Sequence, residues 1–235
     1  MKGMNEMFNV LVCDDDIAIL DSVEIYLKTE GYNTVRATNG VEVLEAVKST
    51  EFHCIVLDIM MPEMDGLTAI RKLREKSNVP VILLSAKSED TDKISGLGFG
   101  ADDYVTKPFN PLELLARVKS QIRRYTNLGS IEKKEGIYTT GALSLDTQAN
   151  QVYLDGEAVK LTATEYGILE YLMENMGRVI PASRIYEAVW NEPAFAAEKT
   201  VTVHIRRIRE KIEINPKEPK YLKVVWGIGY KVEKI

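Results

Sequence analysis

The chain has 235 residues, 45% of them apolar and 28% charged, with a formal net charge of −5. That length accommodates two ordinary domains, each with apolar residues enough for its own core. No run approaches the roughly 18 consecutive apolar residues of a membrane helix, and Met1–Met7 lacks the charged-then-apolar plan of a secretory signal. Neither export nor a membrane partner is therefore expected, and the cytoplasm is the expected location. Cys13 and Cys54 lie in apolar runs without C-x-x-C spacing, and read as buried free thiols.

Apolar, strand-like runs occur at Asn9–Cys13, Thr34–Ala37, Cys54–Leu57, Val81–Ser85 and Tyr104–Thr106. Between and after them, Ile17–Thr29, Gly40–Lys48, Gly66–Lys76, Asp90–Gly98 and Pro111–Tyr125 carry apolar residues at three and four spacing. Five successive βα units predict a doubly wound five-stranded parallel sheet with helices on both faces. Residues 126–136 bury little and read as a linker between an α/β domain over 7–125 and a second domain over 137–235. The second domain opens with short strands at Leu143–Leu145, Gln151–Leu154 and Ala158–Leu161, an antiparallel sheet. Thr162 with Glu165 forms a capping-box pattern before a helix running to Met173. Helices over Ala182–Trp190 and Thr200–Ile212 follow, and Tyr221–Val225 with Tyr230–Val232 closes the chain as a hairpin.

Cutting the chain at Tyr125 separates 15 basic and 20 acidic residues from 15 of each sign. Within Lys199–Lys234, ten basic residues outnumber four acidic ones, the local excess expected of a nucleic-acid contact.

If the apolar runs are parallel strands, Asp14, Asp15 and Asp16, then Asp58, Ser85 and Lys107 all stand at strand carboxyl ends, where open α/β sheets bind ligands. Clustered carboxylates repel one another unless a cation is shared among them. Magnesium, or manganese in its place, suits such oxygen donors. Asp15 and Asp58 are the candidate ligands, with Asp14 binding directly or through water and the Met60 backbone carbonyl completing the protein's share. Asp58 is the candidate nucleophile toward phosphorus, Lys107 neutralises the equatorial oxygens, and Ser85 offers them a hydroxyl.

Asp14-Asp15-Asp16, Leu57-Asp58-Ile59-Met60-Met61-Pro62, Leu84-Ser85-Ala86 and Lys107-Pro108-Phe109 together resemble the receiver domain of bacterial response regulators over about residues 7–125. The resemblance implies that Asp58 accepts a phosphoryl group from a sensor histidine kinase, that Asp14, Asp15 and Asp58 hold magnesium, and that Ser85 and Lys107 contact the phosphoryl group. It implies Ser85 and Tyr104 as the switch pair. It also implies a homodimer on phosphorylation through Lys93, Leu97, Asp102, Asp103, Glu113, Ala116, Arg117 and Arg124, with Lys93 meeting Glu113 and Asp103 meeting Arg117 across a two-fold axis.

On the helix Thr200–Ile212, Val201, Ile205, Ile208 and Ile212 share one face and are expected to pack inward. Lys199, Val203, Arg206, Arg207 and Glu210, flanked by Thr200 and Lys211, are expected on the outer face as a major-groove surface. Arg207 is the expected base reader and Val203 a thymine contact, with Arg206, Arg209 and Lys211 on phosphates and His204 either structural or a phosphate donor. Thr162-Ala163-Thr164-Glu165-Tyr166, Lys199–Arg209 and Val225-Trp226-Gly227-Ile228-Gly229-Tyr230-Lys231 resemble the winged helix-turn-helix output domain of the OmpR/PhoB family over residues 137–235. The resemblance implies a wing containing Trp226, Gly227, Gly229 and Tyr230, where many members carry Arg at the Trp226 position. Trp226 and Asn110-Pro111-Leu112-Glu113-Leu114 also resemble the VanR-type regulators of glycopeptide resistance.

The resulting expectation is a transcription regulator that, once phosphorylated on Asp58, dimerises and binds double-stranded promoter DNA on tandem half-sites, with RNA polymerase a further partner. A phosphorylation-independent DNA-binding regulator is the alternative. An Asp-nucleophile phosphatase is disfavoured, because no cap is inserted over Asp58 and Met60 stands where a second acid would be needed. The chain is expected not to be an enzyme beyond self-phosphorylation and self-dephosphorylation at Asp58.

Overall fold

The computed structural model describes residues 8–86, 98–126, 136–191 and 197–235. The chain divides into two units, Met1–Thr126 and Asn127–Ile235. In the first, β1 (Asn9–Cys13), β2 (Asn33–Ala37), β3 (Cys54–Asp58), β4 (Val81–Ser85) and β5 (Asp103–Thr106) form a parallel sheet in the order β2-β1-β3-β4-β5. Every residue of β3 and β4 is buried, as the unbroken apolar runs require of strands covered on both faces. Val10, Val12, Cys54, Val56, Ile82 and Leu84 pack against α1 (Ile17–Thr29) and α4 (Pro111–Thr126). The other layer holds α2 (Gly40–Ser49) and α3 (Gly66–Arg74), which pack on each other through buried Val43, Ala69, Ile70 and Leu73.

Each of the first three helices starts on an Asp or Asn cap. Asp16 accepts from the Ala18 amide, Asn39 from Val41 and Glu42, and Asp65 from Thr68. The expected helix over 90–98 and the linker lie mainly outside the described residues.

The second unit opens with four antiparallel strands, β6 (Ile137–Thr140), β7 (Leu143–Asp146), β8 (Gln151–Leu154) and β9 (Glu157–Val159). β6 adds to the three strands expected, its half-exposed Ile-Tyr-Thr-Thr giving little apolar signal. The third expected strand stops at Val159, and Leu161 turns in to pack on the core. The capping box at Thr162 and Glu165 starts α5 (Ala163–Glu174) as the motif predicts. α6 (Ala182–Trp190) and α7 (Ala197–Ile212) follow, and β10 (Leu222–Val225) pairs with β11 (Gly229–Val232). Helix α7 begins three residues before the expected Thr200, because Ala197 is already buried in the core.

Candidate functional site: an acidic pocket and a DNA-reading helix

The pocket is built by sheet register. Asp14 follows β1, Asp58 ends β3, Ser85 ends β4 and Lys107 follows β5, and adjacent strands bring these ends together. The backbone of Ile59, directly after Asp58, is held at both ends: its amide donates to the Leu84 carbonyl at 3.1 Å, and Gly66 donates to its carbonyl at 2.9 Å. A Cβ at Gly66 would lie 2.1 Å from the Asp58 carbonyl oxygen, so the approach of α3 needs a glycine. Lys107 is anchored by its amide on the Ser85 carbonyl at 2.7 Å.

Asp14 is 0% and Asp58 4% exposed, while Asp15 lies open to solvent. Lys107 Nζ stands 2.7 Å from Asp14 Oδ2 and 3.1 Å from Asp58 Oδ1. One carboxylate oxygen from each of Asp14, Asp15 and Asp58 lies within 4.8 Å of the others. Octahedral magnesium places opposite oxygens about 4.2 Å apart, so this donor set fits one hard cation. Burial pushes the Asp58 carboxyl above its ordinary range and the Asp14 charge adds to the rise, against the opposing charge of Lys107. Burial works against the Lys107 ammonium, yet its hydrogen bond to Asp14 and the Asp58 charge outweigh that and raise it. Three carboxylates against one ammonium leave an excess of negative charge for a divalent ion to neutralise.

The third acid of the run, Asp16, caps α1, and its own amide donates to Asp14 Oδ1 at 3.0 Å. It therefore orients Asp14 from behind. Met60 is exposed, and Ser85 is buried at the end of β4. Tyr104 is half-buried on β5, paired with Leu83 of β4.

In the second unit, α7 packs against both α5 and α6. Val201, Ile205, Ile208 and Ile212 face inward as expected, but the buried arc is wider and also takes in Thr200, Val203, His204 and Arg207. The expected outer face is corrected accordingly. Arg207, 7% exposed, pairs through Nη2 with Glu165 Oε1 at 2.8 Å. His204 lies against Trp190, with ring centroids 5.6 Å apart. The outer face instead carries Lys199, Thr202, Arg206 and Glu210, and Arg206 pairs with Glu210 along the helix. Exposed Thr202 stands on this face, whereas Val203, the expected thymine contact, is buried. Arg209 and Lys211 are half-buried, bonded to the Leu222 carbonyl and Glu165 respectively.

The pattern of the response regulator receiver domain matches residues 10–119, and that described as transcriptional regulatory protein, C terminal, matches residues 156–232. The regulatory protein VanR of Enterococcus faecium is 42% identical over 227 residues, covering 96% of this chain and 98% of its own. The OmpR/PhoB homolog DrrB of Thermotoga maritima is 37% identical in its crystal structure, with a TM-score of 0.51 over 97% of this chain and 99% of that one. This chain belongs to the OmpR/PhoB family of response regulators. The sensory transduction protein RegX3 of Mycobacterium tuberculosis is a further relative, 36% identical over 227 residues that span 97% of this chain and all of that protein. The chain is thus a two-component response regulator that regulates transcription through DNA, with a sensor kinase as partner, and not an enzyme in the ordinary sense.

Within this regulator the face expected to dimerise differs from expectation at several positions. Asp102 is fully buried and accepts from Arg74 at 2.8 Å and from the Val81 amide at 3.0 Å. It joins the end of α3 to β4 and offers nothing to a partner chain. Arg74, absent from the sequence-based site, also donates to the carbonyls of Gly100, Ser77 and Val79. Within the single chain, Arg117 reaches Asp103, its expected partner across a two-fold axis, at 2.9 Å, and Glu113 at 3.0 Å. Arg124 is half-buried and donates to Ser120 Oγ, whereas Ala116 is exposed on α4. Lys93 and Leu97 lie outside the described residues. Among the described residues, no helix of this regulator is long and apolar enough to cross a membrane.

Proposed function

We propose that this regulator is switched by phosphorylation of Asp58 in a receiver domain over residues 7–125. A winged-helix domain over 137–235 carries the signal to promoter DNA, with 126–136 linking the two, and the protein works in the cytoplasm. The observation that supports this best is the convergence of Asp14, Asp15, Asp58 and Lys107 at one sheet edge.

A carboxylate oxygen of Asp58 attacks the phosphorus of a phosphohistidine on the kinase. The new O–P bond forms as the P–N bond breaks, and the electron pair leaves on the imidazole nitrogen. Lys107 moves its ammonium from the Asp58 carboxylate toward the incoming phosphoryl oxygens, and the Ser85 hydroxyl donates to another of them. Asp14 and Asp15, with Asp58 and the Met60 carbonyl, are the residues that would hold magnesium or manganese. The ion would supply charge neutralisation on the transferring group. Drawing Ser85 inward opens space for Tyr104, the aromatic member of the switch. Hydrolysis of the acyl phosphate by water resets Asp58, so self-phosphorylation and self-dephosphorylation at that residue are the chain's own chemistry.

The receiver then dimerises through α4 and β5, centred on Ala116 with Asp103, Glu113 and Arg117 around it. Paired output domains occupy tandem half-sites, where RNA polymerase is a further partner. Lys199, Thr202 and Arg206 face the major groove, Arg209 and Lys211 lie at its edge, and the wing residues Trp226, Gly227, Gly229 and Tyr230 lie alongside.

Sedimentation of wild type and Asp58→Ala with magnesium, with and without beryllium fluoride, tests the switch. Wild type alone is expected to gain a dimer. A dimer in both proteins, or in neither, would favour the phosphorylation-independent reading.

A further inference from the structure

At the amino ends of β3 and β4, the sheet edge opposite Asp58, lies a cavity of about 800 Å³. It runs between α2 and α3 and around the sheet edge to Tyr125 on α4. Its floor is apolar, with Phe52, Leu73 and Val79 buried. Its walls are held by hydrogen bonds. Arg74 pins the turn from α3 into β4 by donating to the Ser77 and Val79 carbonyls, and the Glu51 carbonyl, in the turn from α2 into β3, accepts from Asn9 Nδ2 at 2.8 Å. His53 meets the Tyr125 ring edge-on at 6.5 Å, and its own Nδ1 accepts from the Asn9 amide. Gaps left by packing rarely exceed a water molecule, whereas ligand sites have this size and an apolar floor.

The charges on the rim are sorted by sign. Glu45 neutralises Lys48 at 2.6 Å. Glu51 stands beside Tyr125, whose hydroxyl is raised above its ordinary range by burial and then by the Glu51 charge. The last carbonyls of α2 end here as well, with the negative end of the helix dipole. This end of the cavity favours a cation, for which the tyrosine ring is a further acceptor. On α3, Lys72 and Lys76 flank buried Leu73 one turn apart, while Glu75 lies about 160° from Leu73 around the helix. Lys72, Lys76 and Glu51 are exposed, and none has an ion-pair partner among the described residues. A Cβ at Gly40 would lie 2.8 Å from Ala69 Cβ, so α2 and α3 run side by side from there. Lys72 therefore stands level with Val43, roughly 10 Å along the helix from Thr50.

We propose that this cavity binds a short apolar peptide with both termini free. The peptide ammonium lies between Glu51, the Tyr125 ring and the α2 carbonyls, its carboxylate on Lys72 and Lys76, and its side chains on the apolar floor. About three or four extended residues, at roughly 3.3 Å each, span the distance between the charged ends. An amphiphile with a single charge would satisfy one end of the cavity and leave the other unmatched. The site is separate from Asp58 and supplies the receiver with a second chemical input at its far edge.

The test is calorimetric titration of the full-length protein with the peptide Ala-Leu-Ala-Leu, carrying free termini, then N-acetylated, then C-amidated. The free peptide is expected to bind at one site with a Kd under about 1 mM. Each cap is expected to weaken it about fivefold, the upper range for an exposed ion pair. Glu51→Gln is expected to abolish the effect of acetylation and keep that of amidation, and Lys72→Gln combined with Lys76→Gln to do the reverse. A far-UV circular dichroism spectrum matching wild type verifies the fold of each variant.

No binding of the free peptide would overturn the proposal, as would binding indifferent to both caps, the mark of a merely apolar cavity. Sensitivity to one cap alone would also overturn it, in favour of a singly charged amphiphile. Cap effects that persist in both variants would place the peptide elsewhere on the protein. Where a variant fails to fold, the three wild-type titrations decide by themselves.

Discussion

At Asp58, burial and the neighbouring Asp14 both penalise the charge that phosphoryl transfer needs, and Lys107 offsets only part of that. The site is a poor place for a carboxylate until a cation arrives. With divalent metal chelated, Asp58→Asn is expected to raise the thermal midpoint of the first unit by about 1 kcal/mol equivalent, since Lys107 keeps Asp14 as its partner. Added magnesium at about a hundred times its dissociation constant is expected to stabilise wild type by about 2.7 kcal/mol. The variant, lacking one ligand, should respond far less. Calorimetry resolves both effects, and an Asp58→Asn protein no more stable than wild type without metal would refute the account. These residues were legible in the sequence because each ends an apolar run, and strand register alone carries them to one edge. Asp16 was less legible, since a cap and a ligand share one residue type and only backbone direction separates them.

Glu165 holds two elements together. As the third residue of the α5 capping box it accepts from the Thr162 amide, and it pairs with Arg207 at 2.8 Å and Lys211 at 2.6 Å on α7. This clamp sets the rotation of α7 about its axis, and so which side chains face outward. Gln serves a capping box as well as Glu, so Glu165→Gln keeps the cap and removes the charge. Arg207, 7% exposed, then loses the Glu165 charge at 2.8 Å, at an expected cost of about 3 kcal/mol. Both tryptophans lie in this unit, so their emission follows its unfolding within the full chain. Burial would raise the Glu165 carboxyl, but Arg207 and Lys211 outweigh it and hold the group below its ordinary 4.5. The stabilisation is therefore complete above pH 4.5 and is lost as pH falls through the depressed folded value. The gap between wild type and Glu165→Gln should close over that acid window, and a gap constant with pH would refute the ion-pair origin. The same clamp explains why α7 was only partly legible. Its isoleucine stripe gave the inward face correctly, yet Arg207 is buried by a carboxylate on another helix, and no periodicity within α7 reports that. β6 was missed for a related reason, as a half-exposed edge strand has little apolar pattern to read.

Across the whole molecule, the proposed switch has to move an equilibrium by about 5.5 kcal/mol to go from mostly inactive to mostly active. In the single chain the Arg117 guanidinium already has both Asp103 and Glu113. A symmetric dimer can exchange these partners across its axis, but the exchange conserves the number of ion pairs and adds little free energy. In the proposed dimer the charges then fix register, and the gain would come from apolar contact centred on exposed Ala116. Ala116→Glu should accordingly leave the monomer as stable as wild type, because the side chain points into water on α4. It should also leave the thermal shift caused by magnesium and beryllium fluoride intact, since the pocket lies at the strand ends. Near a two-fold axis, however, the new carboxylate meets its own copy, and like charges brought together cost several kcal/mol. The activated dimer is therefore expected to weaken more than about a hundredfold in sedimentation. Affinity for tandem half-sites should drop with it, as each output domain loses the effective concentration supplied by its twin. Ala116→Glu protein that still dimerised would move the interface elsewhere on the receiver, and dimerisation that failed together with the thermal shift would locate the damage in the pocket instead.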